Sequence, residues 1–135
     1  MAVEIAPMLA VTHAADAIKF YEAAFHAEVL WQLGDDADMV AGLSIGGAKF
    51  FLAYEAPKYG TRGPSRAGFT TVRIELFVDD PVAVQRQALA AGATQHSPVS
   101  EDRFEMLGPI PIRRMLQGAV IDPFGHLWLI GKILE

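Results

Sequence analysis

Two oppositely charged residues stand two positions apart in a segment with the alternation of a β-strand. Thr71–Val78 alternates polar and apolar residues, which is typical of a strand with one buried face. The apolar face carries Val72, Ile74, Leu76 and Val78, and the other face carries Arg73, Glu75 and Phe77. Unlike charges on an inward face are expected either to pair with each other or to orient a polar group of a bound molecule. Both interpretations stay open, and Glu75 is the candidate for a catalytic base.

The other residue types that carry enzyme chemistry form no recognisable motif. The four histidines, at positions 13, 26, 96 and 126, show no i, i+4 spacing for metal binding, and the chain has no cysteine. The sequence also lacks the Gly-x-Ser-x-Gly elbow, the phosphate-binding P-loop and the dinucleotide-binding fingerprint.

Composition narrows the function classes further. The 135 residues are 52% hydrophobic and 20% charged, with a net charge of −5. This is enough chain for one domain with its own core, and the acidic balance disfavours nucleic acid and anionic membranes as partners. No apolar stretch approaches the roughly 20 residues of a membrane-spanning helix, and the N-terminus lacks the features of a signal peptide. We therefore expect a cytoplasmic protein whose partner is a small molecule.

The elements that must position these residues follow one order twice. In the first half, the pattern predicts a strand at Ile5–Val11, a helix from Ala14 to Phe25, and strands at Glu28–Leu33, Met39–Ile45 and Lys49–Tyr54. In the second half, Thr71–Val78 precedes a helix at Pro81–Ala91, and strands follow near Thr94–Val99, at Arg113–Ile121 and at His126–Ile130. We predict one domain over residues 1–135, with module one at 4–54, a linker at 55–69 and module two at 70–132.

The repeated β-α-β-β-β order and four short motifs resemble the vicinal oxygen chelate superfamily. That superfamily holds glyoxalase I, extradiol dioxygenases, fosfomycin-resistance enzymes and bleomycin-resistance proteins. The matching stretches are Ile18-Lys19-Phe20-Tyr21 with Phe25-His26-Ala27-Glu28, Val78-Asp79-Asp80, Ala91-Gly92-Ala93 and the segment 122–128. The last, Asp-Pro-Phe-Gly-His-Leu-Trp, is similar to the glyoxalase-like, demethylubiquinone-methyltransferase-like branch. The family has glycine where this chain has His26, so the first helix is expected to end without an easy left-handed residue.

The resemblance implies an α+β fold in which tandem βαβββ modules form a curled mixed-sheet cup with the helices outside, and it implies a homodimer. Metal-binding members place His, Glu or Gln at four inward-facing strand positions. Carried over by motif, these positions hold Ala6, Phe51, Arg73 and Leu129. None of these side chains is a ligand for a divalent ion, and Arg73 is a permanent cation. We therefore predict that no metal and no other cofactor is bound.

The same resemblance implies a lining for the cup. Phe51 makes the floor apolar, Met8 adds an adaptable wall, and Trp128 packs under a helix. Trp31 stays open between helix packing and a ligand-stacking wall. The expected ligand-binding residues are Arg73, Glu75, Phe77, Phe51, Trp31, Met8, Leu127 and Leu129. Pro98–Ile112 is too apolar for a free loop, so it is expected to cover the cup or cross to a second subunit.

The leading functional hypothesis is metal-independent binding of a small, partly aromatic molecule in an apolar cup with an Arg–Glu wall. Sequestration of a drug or toxic metabolite is the form that the resemblance to bleomycin-resistance proteins implies. One alternative is an enzyme, either a glyoxalase-like lyase or isomerase that uses Glu75 as base, or a dioxygenase-like member with unusual ligands. Another is a non-catalytic regulatory subunit.

Overall fold

Two four-stranded sheets, one from each half of the chain, frame the computed structural model, which describes residues 2–105, 109 and 112–134. Module one contains β1 (Met8–Val11), α1 (Ala14–Phe25), β2 (Glu28–Leu33), β3 (Val40–Ile45) and β4 (Ala48–Tyr54). A short helix, α2 (Pro64–Ala67), follows. Module two contains β5 (Arg73–Phe77), α3 (Pro81–Ala91), β6 (Thr94–Glu105), β7 (Ile112–Ile121) and β8 (Leu127–Ile133).

The two sheets repeat one topology. Their strand orders are β1-β4-β3-β2 and β5-β8-β7-β6. In each sheet the first and last strands of the module pair in parallel, and the remaining pairs are antiparallel. Met8 lies opposite Phe51 in the first sheet, as Glu75 lies opposite Leu129 in the second. The predicted α+β fold of two βαβββ repeats is confirmed.

Local sequence signals account for several boundaries. Gly46 and Gly47 both have positive φ, 57° and 92°, as a tight turn between β3 and β4 requires. The Asp80 carboxylate accepts a hydrogen bond from the Ala83 amide at 3.1 Å and caps the start of α3. The first helix nonetheless ends on a left-handed residue, because His26 itself takes φ 55°. Its ring lies 3.0 Å from the Gln87 amide nitrogen, which connects the end of α1 to α3.

The core is centred on the aromatic face of α1, which contacts both modules. Tyr21 packs edge-on against Phe50 of β4, and Phe25 packs against Trp128 of β8 at a centroid distance of 4.8 Å. Trp128 is 1% exposed, which confirms its predicted place under a helix. Since the helix of one module covers side chains of the other, neither module buries its core alone.

The segment 122–128 forms a buried turn around one carboxylate. Asp122 Oδ1 accepts hydrogen bonds from the Phe124 and His126 amides at 2.9 and 3.0 Å. Asp122 Oδ2 accepts from Tyr21 Oη and from Trp128 Nε1. His126 is buried and its Nε2 lies 2.8 Å from the Ala10 carbonyl oxygen, to which it donates. The family-like motif is therefore a structural turn.

Two segments that we predicted as irregular contain regular structure. The predicted linker holds a 3-10 turn at Pro57–Tyr59 as well as α2. The buried Glu55 carboxylate holds this segment in place, because the carboxylate accepts hydrogen bonds from the Gly63 amide at 2.8 Å and from Arg66 Nε at 3.0 Å. The prediction of a loop at Pro98–Ile112 is wrong for the residues up to Glu105, because β6 continues to Glu105 and pairs with β7 there. Met106, Leu107 and Ile110 of that segment lie outside the described residues.

None of the helices in the described part of the chain is both long and apolar enough to cross a membrane.

Candidate ligand-binding site

An aromatic platform stands on the open face of the first sheet. The indole of Trp31 lies over Gly42, where a Cβ atom would be only 2.4 Å from Trp31 Nε1. The ring of Phe51 meets it edge-on at a centroid distance of 5.1 Å. Trp31 keeps 39% of its surface exposed, and it lines a cavity of about 740 Å³ with Ala6, Phe51 and Lys49 among others. Trp31 therefore does not pack under a helix, and the other alternative, a wall on which a ligand stacks, stays a prediction.

A charged wall stands on the open face of the second sheet. Arg73, Glu75 and Leu129 line a cavity of about 560 Å³ there. Its other lining residues are Thr71, Val72, Phe104, Met115 and Gln117. Gln117 Nε2 donates a hydrogen bond to Glu75 Oε1 at 3.2 Å. The predicted alternation holds within β5, because Ile74 and Leu76 pack against the core while Arg73 and Glu75 line the cavity. It is wrong for Val72, which precedes β5, is 58% exposed and lines this cavity too.

The two charges of this wall do not pair with each other. Among the described residues, no carboxylate lies within 4.0 Å of the Arg73 guanidinium, and Gln117 is the hydrogen-bond partner of Glu75. The structure therefore does not contain the salt bridge between Arg73 and Glu75 that was one of the two predicted alternatives. Both groups are exposed and open to a bound molecule.

The remaining predicted site residues lie elsewhere. Met8 lines a cavity of about 410 Å³ at the seam between the modules, with Arg62, Phe69 and His126. Phe77 lines a separate cavity of about 320 Å³ beside Lys132. Leu127 is half-buried and lines none of these four cavities. The structure thus brings Trp31 together with Phe51, and Arg73 together with Glu75 and Leu129, but it separates these groups from Met8, Phe77 and Leu127.

The aromatic platform and the charged wall do not meet within one chain. In the described part of the chain, their two cavities share no lining residue, and their strands belong to different sheets. Helices α1 and α3 lie against each other, and Gln87 Nε2 of α3 donates to the Ala23 carbonyl of α1 at 2.8 Å. One chain therefore presents the aromatic platform and the charged wall at two separate cavities.

Several lining residues were missed from sequence. Gly42 was counted as an ordinary strand residue, although an isolated glycine in a strand is a known signal of close approach by another group. Gln117 and Met115 fell on a predicted strand without a predicted contact. Phe104 was assigned to a loop, and its position on the wall depends on the extension of β6.

The positions that hold metal in related proteins offer no ligand set here. Ala6 and Phe51 line one cavity, and Arg73 and Leu129 line the other. Within the described ranges, no group of three or more His, Asp or Glu side chains is arranged to hold an ion. The described residues therefore do not fit the metal centre of the superfamily.

The chain is similar in sequence to one protein family and to proteins of two Mycobacterium species. The sequence matches the family described as the glyoxalase-like domain over residues 6–130. An uncharacterized protein of Mycobacterium bovis is 34% identical over 95% of this chain and 82% of its own length. A protein of Mycobacterium tuberculosis has the same identity over 73% of its length.

Solved structures share the fold at lower identity. A gene product of Arabidopsis thaliana superposes with a TM-score of 0.69 and 23% identity, covering 98% of this chain and 100% of that one. TioX from Micromonospora sp. ML1 gives 0.67 and 22%, covering 96% and 95%. The fosfomycin resistance protein FosX of Listeria monocytogenes gives 0.63 and 13%, covering 98% and 93%.

Proposed function

Because the chain belongs to the glyoxalase-like domain family, we propose that it binds a small, partly aromatic molecule in a cup, without a metal ion. The observation that carries this proposal is the position of Trp31, held over Gly42 and beside Phe51 with its outer face open. An exposed indole fixed against a strand is a stacking surface that needs little reordering when a planar ligand arrives.

The cup closes between two copies of the chain. The aromatic platform of one subunit faces the charged wall of its partner, and a two-fold dimer then contains two equal cups. Support comes from the separation of the two half-sites within one chain and from the apolar residues left open near them. Val29, Leu33, Val72 and Phe77 are each at least 40% exposed, which is the kind of apolar surface that a partner covers.

Binding fits the site better than catalysis does. Glu75 is the available base of the charged wall, and the described residues that line its cavity include no second acid or base to complete a proton transfer. The titratable residues of the platform cavity, Glu4 and Lys49, pair with each other at 3.4 Å. Sequestration needs no such group. Drug or toxic-metabolite sequestration is the specific form of the function that we propose, because the open aromatic face of Trp31 can hold a planar compound without any catalytic group.

Tryptophan fluorescence tests the proposed site directly. The chain has two tryptophans, of which Trp31 is on the platform and Trp128 is 1% exposed. A panel of planar aromatic compounds should quench the wild type and Trp128→Phe, and the quenching should vanish in Trp31→Phe. Quenching that persists in Trp31→Phe, or the absence of binding by any aromatic compound, would contradict the proposal.

Subunit mixing tests whether the cup is shared. Trp31→Ala and Arg73→Ala each damage one half-site. In a mixed dimer with shared cups, both changes fall in one cup and the other cup is intact, so random mixing restores about one quarter of the sites. If both half-sites of a cup came from one chain, every cup would keep one damaged half and mixing would restore nothing.

A further inference from the structure

The charged wall restricts the class of ligand. Resting on the proposed function, we infer that the bound molecule is a dipolar aromatic compound, namely an aromatic carboxylate that also carries a hydroxyl or amino group. Arg73 takes the carboxylate, Glu75 takes the donor group, and the Trp31–Phe51 platform takes the ring.

The guanidinium of Arg73 has no carboxylate partner among the described residues. Arg73 faces a cavity and has no carboxylate within 4.0 Å among the described residues, in a chain with net charge −5. A guanidinium presents a planar fork of donors that matches a carboxylate with two parallel hydrogen bonds. A ligand that covered Arg73 without an acceptor would leave this cation desolvated and unpaired.

The carboxylate of Glu75 has a described hydrogen-bond partner on only one of its two oxygens. Gln117 occupies Oε1 of Glu75 and leaves Oε2 without a described partner. When a ligand displaces water from this wall, Oε2 needs a donor, because a carboxylate left without hydrogen bonds is costly. Since Arg73 and Glu75 are two residues apart on one strand, their Cα atoms are separated by about 6.6 Å. Since the two side chains also do not pair within 4.0 Å, we expect the ligand's anion and donor to be carried by separate positions of the molecule.

The two charges together select against simpler compounds. A neutral aromatic leaves Arg73 unpaired, and a compound that is only anionic meets the negative charge of Glu75 without giving it a donor. Gln117 contributes to this selection as a positioning residue, because its hydrogen bond holds one oxygen of Glu75 in place.

Matched naphthalene probes test the inference. The first is a hydroxynaphthoate with its hydroxyl and carboxylate at opposite ends of the ring system, the second is naphthoate, and the third is naphthol. We expect the wild type to bind hydroxynaphthoate more tightly than naphthol by on the order of 10- to 100-fold, the scale of a charge-assisted hydrogen bond. Arg73→Ala should abolish that preference. Arg86→Ala, an exposed arginine on α3, is the control with the same change in net charge and should retain it.

The second variant separates ligand contact from a structural role. Glu75→Ala should lower the affinity for hydroxynaphthoate by on the order of 10-fold. The affinity for naphthoate should stay the same or rise, because a repelling charge has been removed. A structural role would weaken both probes alike. If the three probes bind the wild type equally, the inference is wrong while the proposed function stands. If none of them binds and no other aromatic compound does, both fail.

Discussion

The phenol of Tyr21 donates a 2.5 Å hydrogen bond to the carboxylate of Asp122, a residue 101 positions away. Both are buried, with 0% and 3% of their surfaces exposed. Tyr21 belongs to the helix of module one and Asp122 to the last turn of module two, so this bond joins the two repeats. Trp128 Nε1 and two backbone amides complete the hydrogen bonding of the carboxylate, which is how a buried charge is tolerated.

Alkaline pH should therefore destabilise the fold through Tyr21. Burial, and then the neighbouring charge of Asp122, raises the pKa of Tyr21 well above its ordinary value. The unfolded chain loses this proton near pH 10 while the folded chain keeps it. The contribution of protonated Tyr21 to the free energy of unfolding is complete below the unfolded pKa. It is lost as pH rises towards the folded pKa, by up to about 1.4 kcal/mol per pH unit.

Tyr21→Phe isolates this effect. At neutral pH we expect it to lower the free energy of unfolding by about 1–3 kcal/mol, because Asp122 loses one of its donors. Between pH 9 and 11, its denaturant-measured stability should fall less steeply than that of the wild type. Tyr59→Phe, at a residue that is 81% exposed, should leave both quantities unchanged. An equal alkaline slope in Tyr21→Phe and the wild type would contradict this account.

The fold was predictable because its signals are local. The predicted bounds of the second helix match α3, where Asp80 caps the start and Gly92 ends the helix, and two glycines with positive φ form the turn between β3 and β4. The end of β6 was missed because that strand lies at the edge of its sheet and is exposed along nearly its whole length. Two register shifts also interrupt its pairing with β7. Such a strand shows little of the apolar alternation on which sequence prediction depends.

The site was only partly predictable because it depends on distances between elements. Alternation along β5 placed Arg73 and Glu75 on one face. It could not reveal that Gln117, 42 residues further along, would hold Glu75. Alternation also grouped Met8 with Phe51, its partner in the sheet, although Met8 lines the seam cavity while Phe51 lines the platform. How two sheets face each other is not encoded in the period of either one.

Metal removal should change nothing. Because Ala6, Phe51, Arg73 and Leu129 stand at the ligand positions of the superfamily, we expect purified protein to carry far less than one equivalent of zinc, nickel, iron or manganese. Treatment with a chelator should leave the melting temperature and the affinity for an aromatic probe unchanged. Elemental analysis after dialysis checks the first expectation. Near-equimolar metal that survives the chelator would overturn it.

Glu55 should stabilise the segment between the modules. Its side chain is 5% exposed and accepts hydrogen bonds from the Gly63 amide and Arg66. Glu55→Ala leaves the buried Gly63 amide without this acceptor, so we expect a loss of about 1–3 kcal/mol in the free energy of unfolding. Hydrogen exchange at residues 63–68 should also accelerate. Glu4→Ala, which removes a 3.4 Å surface pair with Lys49, is the control and should cost under about 0.5 kcal/mol. Equal effects of the two variants would refute the role of Glu55.

Arg73 and Glu75 should contribute little to stability. Both are exposed and they do not pair, so Arg73→Ala and Glu75→Ala should each change the free energy of unfolding by less than about 0.5 kcal/mol. A double-mutant cycle measured by denaturant unfolding should give a coupling energy near zero. A coupling above about 1 kcal/mol would instead support a structural salt bridge between them.

Gly42→Ala should disable the platform while Trp31 itself is left unchanged in sequence. The added Cβ would lie 2.4 Å from Trp31 Nε1 and 2.5 Å from Cε2, so the indole must swing away from Phe51. We expect the affinity for planar aromatic compounds to fall about tenfold and the emission of Trp31 to shift to longer wavelength as the ring becomes more hydrated. Because the change acts through the indole, Gly42→Ala should have no further effect on affinity in a Trp31→Ala background. An undiminished effect in that background would mean that Gly42 acts through the strand and not through the ring above it.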